Sequence, residues 1–62
     1  MNREQILACI DELSKSNGFY SRLKNALSTG REEMPNEYEK FMRELEEQKF
    51  TDAVDLVLYL ES

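Results

Sequence analysis

A chain of 62 residues has room for one domain, which excludes a second folded unit or a catalytic domain with its own substrate lobe. Its 8 Lys and Arg stand against 13 Asp and Glu, and the resulting formal charge of −5 disfavours a general phosphate-binding surface. With one cysteine and no histidine, neither an internal disulfide nor a structural zinc site can be built, so stability has to come from helix packing or self-association.

The first segment is the most plainly helical. Asn2 is a good N-cap, and Gln5 three residues later completes a capping-box pattern that satisfies orphan amides at the helix start. The spacing predicts a helix from about Arg3 to Ser16, with Ile6, Cys9, Ile10 and Leu13 on one stripe, Leu7 at its edge, and Glu4, Asp11 and Glu12 facing away. Asn17-Gly18 would then end it, since both residues tolerate the left-handed conformation.

From Phe19 the periodicity restarts. Phe19, Tyr20, Leu23, Ala26 and Leu27 share a face, and the second helix is expected to stop near Thr29-Gly30. Gly30 to Pro35 reads as a polar, mobile linker, because Pro35 disfavours a helical conformation at Met34. A third helix starts either with Pro35 in its first turn or with Asn36 as cap and Glu39 as capping-box partner. Its apolar stripe is Tyr38, Phe41, Met42 and Leu45, and Glu39, Arg43 and Glu47 fall at the i,i+4 spacing of exposed ion pairs.

The last segment, Asp52 to Glu61, breaks this pattern. Ala53, Val54, Leu56, Val57, Leu58, Tyr59 and Leu60 cover nearly the whole circumference, so a helix here is expected to be buried on most sides. Leu56 to Leu60 would also suit a strand, but such a strand would lack a partner within the chain. The fold class that follows is all-α, a single helical domain over residues 1–62 built as a small bundle of three to four short helices.

Few residues point to chemistry. Without histidine, Ser-His and Cys-His pairs are impossible, and Cys9 lies on the apolar stripe as a small buried hydrophobe. Ser21-Arg22-Leu23-Lys24 matches the Ser-x-x-Lys spacing of some acyl enzymes, yet nothing in so short a chain supplies their oxyanion hole. Glu44 and Glu46 are about 200° apart on a helix and splay away from each other. Arg22 and Lys24 are separated by the same angle, so with Tyr20 and Arg31 they form no continuous basic face for nucleic acid. The two glycines sit in no phosphate loop. The expectation is a non-enzymatic protein with no cofactor, no metal and no small-molecule substrate.

Two stretches together resemble a known group: Ser16-Asn17-Gly18-Phe19-Tyr20-Ser21-Arg22-Leu23, and Leu45 to Glu61 with its Gln48-Lys49-Phe50-Thr51-Asp52 centre. The group is a family of small, uncharacterised proteins encoded in conjugative transposons and related mobile elements of Gram-positive gut bacteria. The resemblance covers both ends of the chain and leaves Thr29 to Met34 as a segment expected to vary in length. It implies an accessory role in element maintenance, transfer or host interaction and favours a cytoplasmic location, and it assigns no site residue.

The apolar surplus of the last helix directs attention to protein contacts. Tyr20, Phe50, Leu58 and Tyr59 are the candidate interface for a protein partner or a homodimer. A cytoplasmic protein is expected, since the opening Met-Asn-Arg-Glu-Gln lacks a signal core and no stretch has the roughly 20 apolar residues of a membrane span. Charge supplies the alternative: residues 1–31 carry +2 and residues 32–62 carry −7, which suits an acidic inhibitor that competes with DNA for a basic protein surface. Lys40 and Arg43 would interrupt that acidic surface.

Overall fold

A computed structural model describes residues 1–62 and contains four helices in the order α1 (Arg3–Ser14), α2 (Gly18–Glu33), α3 (Pro35–Glu47) and α4 (Ala53–Leu60), with no strand. The start of α1 is the expected capping box: Asn2 Oδ1 accepts from the Gln5 amide and Gln5 Oε1 from the Asn2 amide, each at 2.9 Å. The helix ends two residues earlier than the periodicity predicts. Ser14 Oγ donates to the Asp11 carbonyl at 2.6 Å, and the amides of Lys15 and Ser16 reach back only three residues, so the last turn tightens and closes.

Neither glycine adopts the left-handed conformation. Asn17 ends nothing; it caps α2, its side chain accepting from the Phe19 amide at 2.9 Å, with Gly18 as the first helical residue. The linker expected at Gly30 to Pro35 is also absent. Helix α2 runs through Gly30 to Glu33, because Gly30 takes ordinary helical dihedrals and Arg31-Glu32-Glu33 are good helix formers. The break is confined to Met34, whose φ of −137° and ψ of 64° reflect the restriction that Pro35 places on the residue before it. Pro35 opens α3 and Asn36 does not cap it, which settles the two starts in favour of proline.

After α3 the chain turns through Lys49, the one residue with positive φ, at 54°. The last segment is a helix. Asp52 caps α4 through the Asp55 amide, and Asp55 reaches back to Thr51, accepting from its amide at 3.1 Å and its hydroxyl at 2.5 Å.

One small core joins the helices. Ile6 and Ile10 of α1, Met42 and Leu45 of α3, Phe50 of the turn and Leu56 of α4 form a single buried cluster, edged by Leu23 and Leu27 of α2. The Met1 ammonium donates to the Phe50 carbonyl and ties the start of the chain to the α3–α4 turn. Helix α4 departs from its expected burial. Leu56 is fully covered, yet Val54 and Leu58 are 63% and 65% exposed. An eight-residue helix on the rim of three others has only one side to bury, whatever its composition.

Two stability effects follow. Gly30→Ala should raise stability by about 0.5–1 kcal/mol, since a Cβ there meets nothing within 4 Å and alanine restricts the unfolded chain. Leu56→Ala should cost about 2–5 kcal/mol, most of what a domain of this length has at roughly 0.1 kcal/mol per residue. Urea denaturation of both variants beside Leu58→Ala, which should stay within about 0.5 kcal/mol of the parent, measures all three.

Candidate functional site

The four residues expected at an interface separate into two kinds. Tyr20, in the first turn of α2, is 1% exposed, and its hydroxyl donates to Glu61 Oε2 at 2.5 Å. Phe19 meets its ring edge-on, with centroids 5.0 Å apart. Burial first, and then the neighbouring Glu61 carboxylate, pushes the Tyr20 phenol up to about 12. Phe50 is 7% exposed and packs edge-on against Tyr59 at 5.4 Å. Tyr20 and Phe50 therefore both hold the C-terminal end of α4, through Glu61 and Tyr59, and offer little surface of their own.

Leu58 and Tyr59 are exposed, and Val54, which the sequence pattern did not single out, joins Leu58 one turn away. At 100° per residue, Val54 and Leu58 stand opposite Leu56, with Asp55 on one flank and Glu61 near the other. No sequence signal marks their side as the outward one, since a helix apolar on nearly every side has no preferred face; it emerges only once Leu56 is seen to be the buried residue. Phe19 and Met34 are further exposed apolar side chains, Phe19 connected to the end of α4 through Tyr20 and Glu61.

The acidic residues of α3 do not act together. Arg3 of α1 grips two of them: its Nη1 and Nη2 donate to both oxygens of Glu39 at 2.8 and 2.5 Å, and its Nε donates to Glu46 at 2.9 Å. These bonds hold the Glu39 carboxyl below its usual value of 4.5 and stabilise the Arg3 charge further. Glu39 thus turns to another helix instead of closing the expected pair with Arg43. Glu37, Glu44 and Glu47 are exposed, but so are Lys40 and Arg43 between them.

The remaining candidates are quiet. Burial raises the Cys9 thiol, which leaves it a poorer nucleophile. Lys24 donates to Asp11 and holds that carboxyl below 3.8, so its ammonium is directed at α1 and not at Ser21. No three carboxylate or thiol groups converge as metal ligands would. No helix is long and apolar enough to cross a membrane.

These groups give the pH dependence its sign. Tyr20 binds its proton more tightly folded than unfolded, so its contribution is complete below pH 10 and is lost as the pH rises through about 12. Tyr20→Phe should cost about 1 kcal/mol at neutral pH and remove the tyrosinate absorbance step near pH 12. Asp11, Glu39 and Asp55 carry lowered values; their contribution is complete above the ordinary 3.8 and 4.5 and disappears as the pH falls through the lowered ones. Circular dichroism melts in acid should show this loss, and Arg3→Met should bring the Glu39 carboxyl back toward 4.5 in a carbon-detected NMR titration.

No protein-family model matches the chain, and no curated protein or solved structure matches it either.

Proposed function

We propose that the protein is a non-enzymatic interaction or assembly module that works through the outward face of α4. The observation that carries this reading is that Val54 and Leu58 lie in water, one turn apart, on a helix whose opposite side is locked into the core by Leu56. A protein surface that covers them gains about 1.5–3 kcal/mol for each side chain it fully buries, which gives α4 a reason to be rigidly capped at Asp52 while apolar outside. The lack of histidine and the raised Cys9 thiol support a role without catalysis. The likeness of Ser16 to Leu23 and Leu45 to Glu61 to mobile-element proteins favours a cytoplasmic accessory to such an element, with a protein as its partner.

Acidic mimicry of DNA has less behind it. Arg3 pairs with Glu39 and Glu46 and offsets one of their two charges, and Lys40 and Arg43 stand among the carboxylates that remain.

Capture of cross-linked partners by the tagged protein in cells tests the reading. Leu58→Asp and Val54→Asp should keep the helical spectrum and melting temperature of the parent, since both sites are exposed, and should lose the captured proteins. An unchanged set of partners with both folded variants overturns it.

A further inference from the structure

A groove bounded by α1, α2 and the start of α3 is the one concave surface of the molecule. It consists of two hollows, of about 170 and 430 Å³, that share Leu7, Arg31 and Tyr38. Leu7, Leu27 and Tyr38 are each only half-buried there, so the groove has an apolar floor open to water. Three cations line it. Arg3 is held by Glu39 and Glu46 and Lys24 by Asp11, whereas Arg31, where the hollows meet, makes no ion pair. A guanidinium with five donors therefore stands beside apolar surface bonded to no carboxylate, although Glu4 lines the same hollow.

The outward face of α4 has the complementary features. Residues 51–62 contain no Lys or Arg, and Val54 and Leu58 are flanked by Asp55. Both bonds that Asp55 accepts from Thr51 go to Oδ2, which leaves Oδ1 free. The dimensions also agree: the groove follows α1 from Arg3 to Asp11, about 12 Å at 1.5 Å per residue, and the eight residues of α4 are about 12 Å long. Leu56 fastens α4 into its own core and turns this face away from the molecule, so the groove it can enter belongs to another copy.

We propose that α4 of one copy docks in the α1–α2–α3 groove of a second copy, with Val54 and Leu58 on Leu7, Leu27 and Tyr38, and Asp55 facing Arg31. The inference rests on α4 being the contact face and adds the surface that receives it. Helix and groove are different patches, so the contact is heterologous and copies add head to tail unless the rotation closes a ring. Each contact is small and each copy carries −5, so assembly is concentration-dependent and weak.

Sedimentation equilibrium from micromolar to millimolar protein tests this, with circular dichroism to confirm folding. The parent should associate. Leu58→Asp and Arg31→Glu, each alone, should weaken association about tenfold or more, with Arg31→Gln as the milder control. Mixing the two should restore a pair that cannot grow, since the first retains an intact groove and the second an intact helix. A strict monomer at millimolar parent protein, or a mixture that stays monomeric, overturns the proposal. If Arg31→Glu associates like the parent while Leu58→Asp does not, the groove is wrong and α4 still stands as the contact face. If Leu58→Asp associates like the parent, the inference fails, and unchanged partner capture by that variant would separately remove the reading of α4.

Discussion

Leu56 enters a cluster already built from Ile6, Ile10, Met42, Leu45 and Phe50, and that single insertion determines how the last third of the chain meets water. With seven buried residues in all, the core has no second layer to receive another side of α4. Once Leu56 is inside, helical geometry places Val54 and Leu58 outside, and no rotation of α4 can cover them without withdrawing Leu56. The exposed strip is thus a consequence of how little core a chain of 62 residues can make.

The aromatic residues and the charges serve the same end. Phe50 under Tyr59 and Tyr20 under Glu61 fasten the C-terminal end of α4, while Arg3 clasps α3 to α1 through two carboxylates. Because Arg3 takes up Glu39 and Glu46, the acidic half of the sequence is less acidic as a surface than as a string of letters. Arg31 makes no ion pair in the groove: Asp11 and Glu39 are committed elsewhere, and Glu4, which shares its hollow, does not reach it.

Much of the fold can be read from local residues. Whereas the start of α3 was open between Pro35 and Asn36 until the structure chose Pro35, the capping box at Asn2 and Gln5 is chemistry within one turn of helix, which a linear sequence displays directly. Gly30 misled for the converse reason: glycine permits a break but does not require one, and the helix formers around it carry α2 onward until proline constrains Met34. Half of the candidate interface was legible. Leu58 and Tyr59 are on the surface, whereas Tyr20 and Phe50 are inside, since a large aromatic beside a helix end suits a core as well as a contact.

The sequence by itself pointed to an all-helical chain of three to four helices and to the stripes on α1 and α3, because capping and the 3.6-residue period act between near neighbours. Which side of α4 is covered was decided only by the tertiary structure. A helix apolar all round carries no preferred face, so its rotation depends on which side chain finds a hole among residues as far off as Ile6 and Met42. The same holds for Tyr20 and Glu61, 41 residues apart, and for Arg3 and Glu46, 43 apart: their pairing is a matter of where helices come to rest, which no local pattern encodes.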